Sequence, residues 1–191
     1  MDELRAICAR LPGNELVAGE CANLTGGRPD SDGVAVCRQL DLLPRSAYLS
    51  LGLHCLAQAT SLDELVAQVQ ALRLTPERFR IEFLDLTGRG LVSKQAAILA
   101  LSNALESYPD LDHPQQRFVC VVQSGSIWMG ELRNENERSY QQHDLKPYRT
   151  SSSLPSRLAR ALVNLVCPPA QTLLDPFCGT GTILLEAQSI G

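Results

Sequence analysis

Four stretches in the first 140 residues alternate hydrophobic and polar positions with the period of two that is typical of β-strands. They are residues 34–43, 47–58, 78–86 and 117–132. Part of the second stretch, LGLHCLAQ, also suits a helix, and that alternative stays open. In the last stretch the sequence Ser124-Gly125-Ser126 predicts the turn of a β-hairpin.

Between these stretches the hydrophobic period changes to that of helices. Ser61 and Glu64 form a predicted capping box, in which each side chain accepts a hydrogen bond from a free backbone N–H group. The apolar stripe of the helix that follows consists of Leu62, Leu65, Val66, Val69 and Leu72. A second helix is predicted over residues 91–105 with Ser93 as its N-cap, and a short one over residues 3–10. Residues 1–140 are therefore predicted to have an α+β fold.

The pattern changes after residue 134. Residues 134–153 have little apolar periodicity and are predicted to form a linker. A helix is expected next, with Ser153 as its cap and Pro155 in its first turn. Its predicted buried face consists of Leu158, Ala161, Leu162 and Leu165. A buried strand over residues 171–177, the loop CGTGT and a last helix complete the pattern.

Composition narrows the class of protein. The chain has 191 residues, of which 45% are hydrophobic and 20% charged, so a folded core is expected. No apolar run approaches the roughly 20 residues that span a bilayer, and no secretory signal is present. The seven cysteines and three histidines lack metal-ligand spacing. We therefore expect a cytoplasmic protein with reduced thiols and neither a membrane nor a metal partner.

A local basic segment stands out against the net charge of −4. Residues 138–160 contain five basic side chains and a single acidic one. Such a segment can contact a nucleic-acid backbone, although a solvated linker and helix face explains the charge equally well. The candidate phosphate contacts are Arg138, Lys146, Arg149, Arg157 and Arg160.

The glycine-rich loop is the strongest chemical signal. A phosphate-binding P-loop needs a lysine after its last glycine, and neither Lys nor Arg follows Arg160. A dinucleotide fingerprint needs a third glycine, where this chain has Leu184. Asp175 precedes the loop, and the glycines at 179 and 181 let a ligand approach the backbone. Such a site suits S-adenosylmethionine, which has an amine and ribose hydroxyls but no phosphate. The alternative is a tight strand–helix turn that serves packing alone.

Residues 175–187, DPFCGTGTILLEA, resemble motif I of class I methyltransferases, in the form found in RNA methyltransferases that carry a THUMP domain. Residues 146–165 resemble the helical element before motif I in the same enzymes, and residues 111–132 resemble the end of a THUMP domain. The most similar subfamily is that of the tRNA guanine-N2 methyltransferases. Residues 1–60 match only by position, as a ferredoxin-like segment.

The resemblance implies three parts: a ferredoxin-like segment (1–60), a THUMP-like RNA-binding domain (61–142), and a linker with the first elements of a Rossmann-like methyltransferase domain (143–191). It implies S-adenosylmethionine as cofactor and tRNA as partner. The implied cofactor-binding residues are Asp175, Pro176, Phe177, Cys178, Gly179, Thr180, Gly181 and Thr182, together with Ser151, Leu154 and Pro155.

The family's catalytic tetrapeptide, Asp/Asn-Pro-Pro-Tyr/Phe, is absent from the 191 residues. We therefore expect no catalytic residue here, weak or no cofactor binding by this chain alone, and a missing C-terminal methyltransferase half. Two other functions stay open: a non-catalytic tRNA-binding module, and a DNA adenine amino-methyltransferase, whose enzymes share motif I.

Overall fold

The computed structural model describes residues 22–24, 34–36, 43–123, 125–136, 138–148, 150–167 and 171–191. The helix predicted over residues 3–10 lies outside these ranges. Two short strands, β1 (Ala22–Leu24) and β2 (Val34–Val36), pair antiparallel. Four longer strands, β3 (Leu51–Ala59), β4 (Phe79–Asp85), β5 (Gln116–Gln123) and β6 (Ser126–Glu135), form a second sheet in the order β3-β6-β5-β4.

The second sheet is mixed. β5 and β6 form the predicted hairpin, with Gln123 opposite Ser126, and β3 pairs antiparallel with β6, which settles the segment LGLHCLAQ as a strand. β4 lies parallel to β5 at one edge. Gly130 lies where β6 passes closest to β3, since a Cβ atom there would come within 2.9 Å of the Leu53 Cβ. The strand at the other edge, β3, begins at residue 51. It therefore lies before the expected domain boundary at residue 61.

Two helices cover one face of this sheet. The helix α1 (Leu62–Ala71) begins as predicted, because the Ser61 hydroxyl accepts a hydrogen bond from the Glu64 N–H group at 3.3 Å. The Glu64 carboxylate reaches Thr60 rather than Ser61, so the reciprocal bond of the capping box is displaced by one residue. The helix α2 (Lys94–Ala104) is capped by Ser93, also as predicted.

The main core lies between these helices and the sheet. It contains Leu65 and Val69 of α1, Leu101 of α2, and Phe79 and Phe118 of the sheet, whose rings meet edge to face at 6.2 Å. A smaller cluster on the opposite face includes Leu53, Val121 and Trp128. Burial raises the pKa of the Cys120 thiol, in the main core, to about 12.

The region after the sheet differs from the prediction in three ways. First, residues 139–145 are not a loose linker. They form a 3-10 helix whose Tyr140 is 4% exposed. The contacts that order this helix come from side chains far along the chain, so apolar periodicity within the segment could not reveal them.

Second, the helix α3 (Ser156–Val166) is not capped by Ser153. The Asp144 carboxylate takes that role from twelve residues upstream, and it accepts hydrogen bonds from the Ser156 N–H group at 3.2 Å and the Ser156 hydroxyl at 2.8 Å. The buried face of α3 was also predicted wrongly in large part. Ala161 is buried as expected, but Leu158, Leu162 and Leu165 are 36–41% exposed, while Arg160 and Asn164 point inward.

Third, the strand predicted over residues 171–177 does not form a ladder in the described part of the chain. Residues 171–175 have no regular secondary structure, and Leu174 and Phe177 are 87% and 93% exposed. A strand needs a hydrogen-bonded neighbour, and among the described residues neither edge strand of the sheet, β3 or β4, pairs with this segment. The last helix, α4 (Thr182–Ile190), begins directly after the glycine loop, as predicted.

Candidate functional site

The glycine loop and the turn before α3 form the two walls of one pocket of about 430 Å³. That volume falls within the range of small-molecule sites. Five of the lining side chains carry a hydroxyl group and one carries a carboxylate. The lining residues are Thr150, Ser152, Ser153, Leu154, Asp175, Phe177, Cys178, Gly179, Thr180, Thr182 and Ile183.

The loop conformation depends on its glycines. Gly179 and Gly181 have φ angles of 54° and 73°, in the left-handed region that glycine adopts without strain. A Cβ atom on Gly181 would find nothing within 4 Å, so there is open space beside the backbone at this point. Gly181 then serves as the N-cap of α4, and no side chain caps the helix.

Asp175 lies at the entrance to the loop and lines the pocket. Its Oδ1 atom accepts a hydrogen bond from the Phe177 N–H group at 3.0 Å, which makes a tight Asx turn. One carboxylate oxygen thus shapes the loop, and the carboxylate keeps further acceptor capacity for a ligand donor.

Lys146 contacts this loop from a position that the sequence did not suggest. Its ammonium group donates hydrogen bonds to the Thr180 carbonyl at 3.2 Å, to the Thr180 hydroxyl at 3.1 Å, and to the Thr182 hydroxyl. The loop therefore does have a cation beside it, although none follows it in sequence. Lys146 was predicted as an RNA contact, and in the structure its ammonium group lies against the glycine loop.

A buried charge network lies behind the pocket. Glu186 of α4 is fully buried, with one carboxylate oxygen 2.7 Å from Arg160 Nε and the other 2.5 Å from His143 Nδ1. Arg160 also donates to the hydroxyls of Ser139 and Ser189, and its guanidinium lies 5.3 Å from the centre of the Tyr140 ring. The network joins α3, α4 and the 3-10 helix.

The predicted cofactor residues thus fall into two groups. Leu154, Asp175, Phe177, Cys178, Gly179, Thr180 and Thr182 line the pocket. Ser151, Pro155, Pro176 and Gly181 flank it in sequence without lining it. Sequence reasoning missed the pocket residues Thr150, Ser152, Ser153 and Ile183, although the run TSSS beside a helix start was a usable signal.

The predicted RNA contacts are separated by the fold. Arg138 and Arg157 are exposed, and the Arg157 guanidinium stacks 4.2 Å above the centre of the Tyr48 ring. Arg160 is only 1% exposed and is paired with Glu186, so the prediction that it contacts phosphate is corrected. Arg149 lies outside the described residues.

The described residues contain no cluster of three or more His, Cys, Asp or Glu side chains that could hold a metal ion. Among these same residues, no helix has the length and apolar character needed to cross a membrane.

Comparison with known proteins relates the pocket region to a methyltransferase family. Residues 143–191, which include both pocket walls, match the model of the RMKL-like methyltransferase domain. The pocket region is therefore similar to that family.

Curated relatives are similar to this chain beyond that segment as well. A tRNA (guanine(10)-N2)-dimethyltransferase of Pyrococcus abyssi is 37% identical over 68 residues, which are 34% of this chain and 20% of the relative. A tRNA (guanine(10)-N(2))-methyltransferase of Saccharomyces cerevisiae is 24% identical over 160 residues, which are 70% of this chain and 37% of the relative. The chain spans less than half the length of either relative.

A solved structure shares the fold over almost the whole chain. SMU.472, described as a methyltransferase complexed with SAH, superposes with a TM-score of 0.55 at 15% identity and covers 99% of this chain and 52% of that one. The mixed α/β arrangement is therefore one that a methyltransferase also has.

Proposed function

We propose that this chain belongs to an S-adenosylmethionine-dependent tRNA methyltransferase that methylates the N2 amine of guanine. The observation that carries the proposal is the single pocket formed by the glycine loop and the 150–154 turn, inside the segment that matches a methyltransferase family. The two relatives named above act on guanine N2 of tRNA, which supports the choice of substrate.

The chemistry of the pocket fits the cofactor. The Asp175 carboxylate can accept hydrogen bonds from an amine or from ribose hydroxyls, and the Ser and Thr hydroxyls can either donate or accept. Gly179 lines the pocket, and a Cβ atom there would meet only the Phe177 carbonyl oxygen at 4.0 Å, so a ligand can approach the backbone closely. When bound, the cofactor would supply an electrophilic methyl group, while residues of this chain hold and orient it.

The cofactor part of the proposal is testable through Cys178, which is exposed and lines the pocket. We expect iodoacetamide to modify Cys178 readily, and S-adenosylhomocysteine to slow that modification in proportion to occupancy. The rate is measured by peptide mass spectrometry, with ligand up to millimolar concentration because the chain alone is expected to bind weakly.

Cys120 serves as the internal control. Its thiol is buried and has a pKa of about 12, so it should react only after denaturation, with or without ligand. If millimolar ligand leaves the Cys178 rate unchanged, the pocket does not bind the cofactor in this chain.

We further propose that residues 61–142 form a THUMP-like RNA-binding domain, that residues 1–60 form a ferredoxin-like segment, and that the protein acts in the cytoplasm. The sequence resemblance supports these proposals. The exposed Arg138 lies near the end of the region 61–142 and the exposed Arg157 lies after it. These two are the remaining candidates for phosphate contact among the described predicted residues.

We expect modest affinity for tRNA, preference for folded tRNA over single-stranded RNA of equal length, and a shallow salt dependence. Each neutralised phosphate contributes about −0.7 to −0.9 to the slope of log affinity against log salt. The double variant Arg149→Ala with Arg157→Ala should bind more weakly and flatten that slope. Filter binding at several salt concentrations measures both effects.

Arg157→Lys is the matched control, since it keeps the charge and loses the stacking on Tyr48. Its salt slope should stay at the parent value. Equal affinity for tRNA and an unstructured oligonucleotide would contradict the proposal of an RNA-binding domain. If the double variant binds tRNA with the parent's affinity and salt slope, neither arginine contacts the RNA.

A further inference from the structure

The two pocket walls are joined by a continuous chain of hydrogen-bonded side chains. Thr180 of the glycine loop donates its hydroxyl hydrogen to Ser153 Oγ at 3.1 Å. Ser153 Oγ lies 3.2 Å from Thr150 Oγ1, which in turn lies 3.0 Å from Ser152 Oγ. Lys146 stands at the start of this chain, because its ammonium group contacts the Thr180 hydroxyl at 3.1 Å.

The lysine fixes the direction of the bonds from Thr180 to Thr150. An ammonium group donates and never accepts, so the Thr180 oxygen is the acceptor there and its hydrogen is free for Ser153. Ser153 Oγ also accepts from the Thr150 N–H group at 2.8 Å, which leaves its own hydrogen for the Thr150 hydroxyl. In the last contact either hydroxyl can donate, and a ligand acceptor beside Ser152 favours the arrangement in which Thr150 donates to Ser152.

In that arrangement the hydroxyl hydrogen of Ser152 is the free end of this relay. Ser152 is exposed and lines the pocket, so its hydrogen is available to a ligand. Hydrogen bonds in a chain polarise one another in the same direction, and this chain begins at a positive charge. Ser152 is therefore a strengthened donor, and its best partner is an acceptor that carries negative charge.

We propose that Lys146 is a positioning residue that directs the Ser152 hydroxyl towards the carboxylate of the ligand's amino-acid part. The inference rests on the proposed function, and S-adenosylhomocysteine has such a carboxylate. Lys146 acts through the relay rather than by direct contact, because its three N–H groups are already donated to Thr180 and Thr182. The relay gives the pocket selectivity for ligands that keep the amino-acid part.

The test compares two ligands on the full chain and its variants. S-adenosylhomocysteine carries the carboxylate, and 5′-methylthioadenosine has the same nucleoside without the amino-acid part. Lys146→Met and Ser152→Ala should each raise the dissociation constant for S-adenosylhomocysteine about tenfold and leave that for 5′-methylthioadenosine within about twofold. Dissociation constants are obtained from ligand-induced NMR shifts, which also report weak binding.

The chain offers a matched control in its other lysine, Lys94, which is exposed at the start of α2. Lys94→Met removes the same charge and should leave both constants unchanged. Hydrogen–deuterium exchange without ligand adds an independent readout. Lys146→Met should speed exchange in residues 150–153 and 179–182 and leave α1 and α2 at parent rates.

The outcomes separate this inference from the proposed function. If the parent chain binds neither ligand at millimolar concentration, the pocket does not bind the cofactor in this chain, and the relay inference fails with it. If the parent binds S-adenosylhomocysteine and Lys146→Met or Ser152→Ala binds it equally well, the relay is wrong. An equal loss for both ligands in either variant would mean that the residue shapes the pocket as a whole, and would also overturn the carboxylate assignment.

Discussion

Glu186→Ala is expected to lower the free energy of unfolding by about 3–5 kcal/mol, the usual cost of breaking a buried ion pair. Glu186 is fully buried, and its two oxygens bind Arg160 and His143. Without the carboxylate, Arg160 would remain at 1% exposure with an uncompensated charge. Urea unfolding followed by circular dichroism measures the change.

A double variant separates the loss of the pair from the loss of packing. In Arg160→Met with Glu186→Leu no buried charge is left alone, so its free energy of unfolding should lie closer to the parent value than that of Glu186→Ala. Hydrogen exchange should locate the weakening of Glu186→Ala in α3 and α4 rather than in the sheet. A single variant within about 1 kcal/mol of the parent would show that the network contributes little.

Under the proposed function, Asp175→Ala is expected to reduce methyl transfer by the methyltransferase that contains this chain by about one hundredfold or more, the cost of losing charge-assisted hydrogen bonds to the cofactor. Asp175 lines the pocket and shapes the loop through the Phe177 N–H group. Both roles are lost in alanine. The assay follows incorporation of a labelled methyl group into tRNA, with the cofactor concentration varied.

Asp175→Asn distinguishes the two roles, because asparagine keeps an oxygen for the Phe177 N–H group and loses the negative charge. We expect Asn to keep the loop structure, seen as parent-like hydrogen exchange in residues 177–182, and still to transfer methyl groups slowly. If Asp175→Asn turns over like the parent, the aspartate only shapes the turn. If Asp175→Ala turns over like the parent, the aspartate has no role in the site.

The elements that could be predicted from the sequence are those with local causes. The caps at Ser61 and Ser93 and the turn at Gly125 each depend on atoms within a few residues, and all three were predicted correctly. The glycine loop before the last helix also has a local cause, because the left-handed φ angles at Gly179 and Gly181 depend on glycine at those two positions.

The errors fall where the cause lies far along the chain. Arg160 was assigned to a phosphate because its partner Glu186 is 26 residues away and nothing in the sequence links the two. The leucines of α3 were expected inside because hydrophobic periodicity gives the direction of an apolar face, whereas Arg160 and Asn164 turn inward to partners that periodicity cannot show. Lys146 shows the same limit, because the hydroxyls that it contacts, on Thr180 and Thr182, lie far along the chain.

Arg45 has a consequence for the order in which the protein folds. Its guanidinium, 8% exposed, donates to Asn164 Oδ1 at 2.9 Å, to the Cys167 carbonyl at 3.1 Å and to the Ile190 carbonyl at 2.5 Å. The last of these contacts spans 145 positions. During synthesis the strands β3 to β6 can pair as soon as residue 135 leaves the ribosome. The contacts of Arg45 can form only after the C-terminal ends of α3 and α4 have been synthesised. Such long sequence separation slows folding, so the methyltransferase segment is expected to dock late onto a sheet that is already formed.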